Sequence, residues 1–177
     1  ELNDVYIRIL RAATSGRMPD DVYRQAVKDA ASLPAGDMSY FAQMQRGNAL
    51  AHREWLRLNE KRHKMRLAWD AFFQDYDLML CPVAVTAAFP HDQAGLRHKR
   101  TIVVNNKKVP VVDQIFWAGY AGVTLLPATA APIGLTKDGL PVGVQIIGRQ
   151  YGDYDCIQFA KLLEKEYRGF EPPPAYS

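Results

Sequence analysis

Serine, histidine and cysteine are all scarce in this chain, and their placement matters more than their number. Only four serines occur in 177 residues, and no Gly-x-Ser-x-Gly is present. A serine nucleophile needs a glycine-lined turn so that backbone N–H groups can approach the developing oxyanion. Ser15 precedes a glycine in a loop, Ser32 and Ser39 flank a Pro-Ala-Gly break, and Ser177 is the last residue, so no catalytic residue is expected within the chain. The four histidines lack the HExxH spacing that aims two imidazoles at one zinc. His91-Asp92 could orient an imidazole, but the third group that such sites need is missing. No metal site and no cofactor are expected, since Walker and GxGxxG loops are absent as well. Cys81 and Cys156 show no ligand-type spacing and read as buried, reduced thiols. There is no signal-like segment and no apolar run long enough to cross a bilayer. We therefore expect a cytoplasmic setting and no membrane contact.

What is present suits a globular domain: 48% hydrophobic and 23% charged residues, with a net charge of +3. The charge is uneven. Seven Lys or Arg residues lie between Arg46 and Arg66, against Glu54 and Glu60. Such a run reads as the solvated face of a helix, and without a nucleic-acid-binding motif a nucleic-acid partner is not expected.

Residues 1–76 have helical periodicity. Val5, Ile9 and Ala13 share one face, Gly16-Arg-Met-Pro19 breaks the run, and Asp20 or Asp21 can cap a second helix through Val27. The longest helical segment is expected from about Ser39 to Tyr76, with a stripe of Trp55, Leu58, Arg62, Met65, Trp69, Phe72 and Tyr76. Arg62 on that stripe either snorkels outward or is paired inside. Residues 77–148 form the sheet. Leu78 to Val85 reads as a strand buried on both faces, with Pro82 marking its end or a bulge. A loop from Phe89 to Lys99 leads into a hairpin, Thr101–Val104 and Val109–Val112, around Asn105-Asn-Lys-Lys108, and Pro110 places that hairpin at an edge. A short helix from Asp113 to about Gly122 precedes two strands, Thr124–Pro132 and Leu140–Ile147. The Asp-Gly turn at Thr136-Lys-Asp-Gly139 makes these two pair antiparallel. Asp153 can cap a final helix over 153–168, and 170–177 is expected to lie extended.

Several ordered motifs carry a resemblance. They are Glu60-Lys-Arg62, Phe72-Phe-Gln-Asp-Tyr-Asp-Leu-Met-Leu-Cys-Pro-Val83, Ala88-Phe-Pro-His-Asp92, Trp117-Ala118, Leu126-Pro127, Pro132-Ile-Gly134, Gly139-Leu-Pro-Val-Gly-Val-Gln-Ile-Ile-Gly148 and Asp153. Together they resemble the C-terminal portion of the amidase signature hydrolases. The resemblance implies part of a single α/β/α domain around a mixed, twisted sheet. It also implies a parent enzyme that hydrolyses carboxylic amides through a serine acyl-enzyme. That family's machinery is a lysine, a cis-peptide serine and a nucleophilic serine in a Gly/Ser-rich segment, and nothing in this chain matches it. The chain alone is expected to be inactive.

The resemblance further implies that this portion walls one side of a pocket for a small amide substrate. Asp113 lies near the position of an acidic substrate-binding residue in the family's amidotransferase members, and it can equally be a helix N-cap. Trp117, one turn on, either lines that pocket or packs in the core, and Arg8 resembles a substrate-binding arginine. Glu1 beginning inside a helical pattern reads as a truncation. The implied partner is the missing N-terminal part of the same protein, or another copy of this chain. The alternatives are a portion of the amidase subunit of a tRNA-dependent amidotransferase, and a non-enzymatic binding or scaffolding module.

Overall fold

The computed structural model describes residues 1–172. Helices α1 (Leu2–Ser15), α2 (Asp20–Ser32), α3 (Tyr40–Asn48) and α4 (His52–Phe72) come first, followed by strand β1 (Leu78–Pro82). The hairpin β2 (Thr101–Val104) and β3 (Lys107–Pro110) leads through a 3-10 turn, Val111–Ile115, into α5 (Phe116–Thr124). Strands β4 (Ala128–Leu135) and β5 (Pro141–Gly148) and helix α6 (Asp153–Glu166) complete the described fold.

The three-stranded sheet has the order β1-β5-β4 and is antiparallel throughout. Successive side chains of a strand point to opposite faces, and Ile146 and Ile147, both fully buried, anchor one face each. Ile147 packs with Cys81, Ala121 and Leu126 beneath Trp69 and Phe73 of α4 and Trp117 and Tyr120 of α5. Ile146 packs with Ala131 and Cys156 beneath Phe159 and Leu163 of α6. Helices thus cover both faces, which is the α/β/α arrangement. Burying such side chains stabilises the fold by about 1.5–3 kcal/mol each. A third cluster, Val5, Leu58 and Val123, joins α1, α4 and α5.

The Asp-Gly turn forms as expected. Gly139 has φ +78°, its N–H donates to the Thr136 carbonyl at 3.0 Å, and the Thr136 hydroxyl accepts from the Leu140 N–H. The first hairpin uses a tighter turn than its sequence suggests. Asn105 and Asn106 alone take positive φ, so Lys107 and Lys108 enter the strand and Val111-Val112 belong to the 3-10 turn. Cys81 and Cys156 are free and buried.

Other expectations need correction. The segment from Ser39 to Tyr76 is two helices, because the chain turns at Ala49-Leu50-Ala51, where the Ala49 and Leu50 N–H groups close onto Gln45 and Gly47. Helix α4 ends at Phe72, which leaves Tyr76 exposed. Arg62 is half-buried and donates to Asn59 one turn earlier, a neutral partner. Helix α2 runs five residues past Val27, and its first-turn carboxylates Asp20 and Asp21 follow an N-cap at Pro19 without capping it. In α6 the N-cap is Gly152, and Asp153 contributes charge to the first turn.

Strand β1 is not buried on both faces, since Leu80 is half exposed, and among the described residues it pairs on one side only, with β5. Among the described residues β4 is likewise an edge, so the sheet of this chain contains no parallel pair. The tail expected over 170–177 lies outside the described residues from 173 onward. Among the described residues no helix is long and apolar enough to cross a membrane.

Candidate functional site

Helix α3 shapes the site. Ser39 caps it by accepting from the Ala42 N–H at 3.2 Å, and Asp37 accepts from the Ser39 N–H at 2.8 Å. This fixes the entry of the chain and sets Tyr40 and Gln43, one turn apart, toward α1 and the 3-10 turn. The helix can approach α1 closely because of Gly47. A Cβ there would lie 2.7 Å from the Arg11 Cβ and 2.9 Å from the Arg8 carbonyl oxygen.

A cavity of about 500 Å³ opens between these elements. Asn3 and Ile7 of α1, Ser39, Tyr40 and Gln43 at the start of α3, and Asp113 of the 3-10 turn line it. Asp113 stands in the exposed part of the wall, and loss of solvation there raises its carboxyl above the ordinary aspartate value. It is not a helix N-cap: it sits inside the 3-10 turn, whose N-cap is Pro110. Its own carbonyl accepts from the Phe116 N–H and so leads into α5. Gln43 is 5% exposed, and its Nε2 donates to the Met38 carbonyl at 2.9 Å. Next to the cavity wall, the Tyr40 hydroxyl accepts from Arg11, whose guanidinium lies 5.6 Å over the Tyr40 ring.

The other two residues singled out from the sequence lie apart from this cavity's walls. Trp117 packs in the Ile147 cluster, stacked on Tyr120 at 5.5 Å, and its carbonyl accepts from Gln145 Nε2 at 3.1 Å. Arg8 lies on α1, 3.7 Å from the Asp4 carboxylate, with its Nε buried and unpaired. Sequence reasoning missed Tyr40 and Gln43. Their signal was the Asp37-Met-Ser39 capping segment, which starts a separate helix here.

A larger cavity of about 550 Å³ lies beside the loop after β1, with His91, Asp92 and Arg100 in its wall. Arg100 is already engaged, because its guanidinium donates to the carbonyls of Asp92, Ala94 and Gly95. That cavity is a consequence of how the loop is tied down. The described serines are also engaged in helix-end bonds: Ser15 and Ser32 donate to carbonyls three residues back, and Ser39 caps α3. The basic face of α4 is open to solvent, with Arg57 paired to Glu54 within the helix and Lys61 to Glu1.

Helices on both faces of an antiparallel sheet, with a polar cavity at the junction of α1, α3 and the 3-10 turn, define an α/β/α domain. The model of the Amidase family matches residues 7–157, and the chain belongs to the amidase signature family. It is 32% identical over 117 residues to the glutamyl-tRNA(Gln) amidotransferase A-subunit of Wolinella succinogenes, covering 63% of this chain and 22% of that protein. Over 170 residues it is 25% identical to the corresponding A-subunit 2 of Clostridium acetobutylicum, covering 94% of this chain and 30% of that one. The chain thus spans less than a third of the length of these relatives. A solved structure described as a bacterial aryl acylamidase of the amidase signature family superposes with a TM-score of 0.64 at 18% identity, over 93% of this chain and 33% of that one. The glutamyl-tRNA(Gln) amidotransferase A-subunit from Thermotoga maritima gives 0.55 at 22% identity, over 85% and 32%.

Proposed function

We propose that this chain forms one wall of the substrate pocket of an amide hydrolase whose acyl-enzyme machinery comes from residues outside it. The carrying observation is the family match over residues 7–157, in a chain whose described serines are all committed to helix ends. In this reading a serine supplied from elsewhere attacks the amide carbonyl, a lysine and a cis-peptide serine pass its proton to the leaving amine, and backbone N–H groups hold the oxyanion. Asp113 contacts the substrate in the cavity, while Trp117 in the Ile147 cluster and Arg8 beside Asp4 stand apart from its walls. The open edges of β1 and β4 and the half-exposed Leu80 and Leu135 receive the rest of the polypeptide or a second copy of this chain.

A second reading, the amidase subunit of a tRNA-dependent amidotransferase, is favoured by the Wolinella succinogenes relative at 32% identity. One experiment addresses both. The chain is combined with an N-terminal amidase segment that carries the lysine and serine pair, and hydrolysis of simple aryl amides is compared with ammonia release from glutamine. Aryl-amide turnover supports the hydrolase, glutamine turnover alone supports the amidotransferase reading, and a folded, tightly associated pair with neither activity supports a binding module. The chain by itself should show no amide turnover; measurable turnover by the pure chain would overturn the assignment of catalysis to other residues.

A further inference from the structure

The cavity of about 550 Å³ beside the loop after β1 has walls that are fixed at several points. Gln114 pins the start of the loop: its Oε1 accepts from the Val85 N–H at 3.1 Å, and its Nε2 donates to the Thr86 hydroxyl at 2.8 Å. The Arg100 guanidinium gathers the carbonyls of Asp92, Ala94 and Gly95, and the Arg100 carbonyl accepts from the Val111 N–H at 3.0 Å. The His98 ring lies 4.8 Å from that of Phe41 on α3. A held cavity of this volume falls in the range of small-molecule sites.

Its charges are unbalanced. Arg97 and Arg100 both stand in the wall; among the described residues neither forms an ion pair, and Asp92 is the one carboxylate there. The acceptors of Arg100 are neutral carbonyls, which satisfy its hydrogen bonds and leave its charge uncompensated. Asp92 Oδ1 is already used, accepting from the Ala94 N–H at 2.9 Å. Phe89, Pro90, Ile102, Val103 and Val111 supply an apolar surface, on which Phe89 is 41% exposed. Two guanidinium groups disfavour a cation, and an uncharged ligand leaves them unmatched. A strongly hydrated polyanion gains nothing from the apolar part of the wall. The complement is a small organic monoanion, in which a carboxylate takes the parallel N–H donors of a guanidinium and a flat apolar body covers the rest.

We infer that this cavity binds a small aromatic carboxylate, with Arg97 as the guanidinium that meets the carboxylate, Arg100 as a second, fixed positive charge, and the apolar wall from Phe89 to Val111 against the ring. The site shares no described wall residue with the Asp113 cavity. Along one segment of chain Val111 lines the first cavity, while Pro110, Val112 and Asp113 line the second. The inference therefore stands apart from the proposed hydrolase.

The test is a titration of the isotopically labelled chain with sodium benzoate and, separately, with benzyl alcohol and benzylammonium, read by NMR at the Ile102 and Val111 methyl groups and the Arg97 Nε–H. Benzoate should give saturable shifts at these positions and none at Tyr40 or Gln43. It should bind about tenfold more tightly than benzyl alcohol, the scale of a hydrogen bond between charged groups, and benzylammonium should not bind. Arg97→Gln should weaken benzoate binding about tenfold, and Arg97→Lys, which keeps the charge, should weaken it less. Asp92→Asn keeps an acceptor for the Ala94 N–H and removes the negative charge from the wall, so benzoate should bind several-fold more tightly. A gain of that sign cannot come from a folding defect. Benzyl alcohol binding as well as benzoate, benzoate binding unchanged in Arg97→Gln, or shifts confined to the Asp113 cavity would overturn the inference. Because the titration reads no hydrolysis, its failure is separable from that of the proposed function.

Discussion

Helix α3 and strand β5 are of nearly equal length, nine and eight residues, and both are well buried, yet they bury opposite kinds of residue. Strand β5 buries Ile146, Ile147 and Gly148 between two helical layers. Helix α3 buries Gln43, Gln45 and Asn48 along with Ala42 and Gly47. Two of its polar side chains are mutually satisfied: Gln45 Nε2 donates to Asp29 at 2.7 Å, and Asn48 Nδ2 donates to Gln45 Oε1 at 3.2 Å. The third, Gln43, keeps a buried oxygen with no partner. Buried apolar side chains stabilise wherever they are sealed, whereas a buried polar group does so only when every partner is present. Strand β5 is therefore complete in its own packing, whereas α3 holds one buried polar group that its surroundings leave unmet.

The largest effect should come from breaking the apolar element. Ile147→Ala and Ile146→Ala should each cost about 2–5 kcal/mol, read from the denaturant midpoint at constant m-value. Their comparison is informative as well, because Ile146 is sealed by α6 and Ile147 by α4 and α5. If Ile146→Ala proved nearly neutral, α6 would not be docked on the sheet in solution.

Next in size is Gly47→Ala in α3. The added Cβ would fall 2.7 Å from the Arg11 Cβ and 2.9 Å from the backbone oxygen of Arg8, so α1 and α3 must separate. Overpacking of this kind costs about 1–3 kcal/mol, against a gain in helix propensity of about 1 kcal/mol, and the thermal midpoint should fall. Gly16→Ala is the control: that position has φ −62° and open space around it, and the midpoint should hold or rise slightly. Equal behaviour of the two variants would mean that α1 and α3 do not pack as closely as described.

The contrast between α3 and β5 also explains what could be read from the sequence. The pair β4 and β5 was legible because its signals are local: an Asp-Gly turn and two apolar runs. Helix α3 was not legible as a separate element. The Gln43, Gln45 and Asn48 that it buries look like surface residues in a hydrophobicity pattern, and the Ala49-Leu50-Ala51 turn contains neither glycine nor proline. Asp113 was picked out from the sequence, but its partners across the cavity lie about 70 residues away and only the fold brings them near. The edge position of β1 was missed for a related reason: an apolar run such as Leu78 to Val85 reports burial in some assembly, and it does not say which strands supply it.

The smallest effect belongs to Asp113, and its sign separates a cavity carboxylate from a structural cap. A carboxylate that caps a helix has a lowered pKa, so the native state gains stability as pH rises through the aspartate range. The pKa of Asp113 is raised by desolvation. Below the unfolded-state value both states are protonated and Asp113 imposes no penalty. As pH rises past that value the unfolded chain releases the proton first, and native stability falls until the folded-state value is passed. Asp113→Asn should therefore remove a small loss of stability across the window just above the ordinary aspartate pKa, leaving the variant equal to the parent in more acid solution and slightly more stable at neutral pH. Denaturant midpoints at a series of pH values give the comparison, and a variant less stable than the parent at neutral pH would show that the carboxylate is held by a partner within the fold.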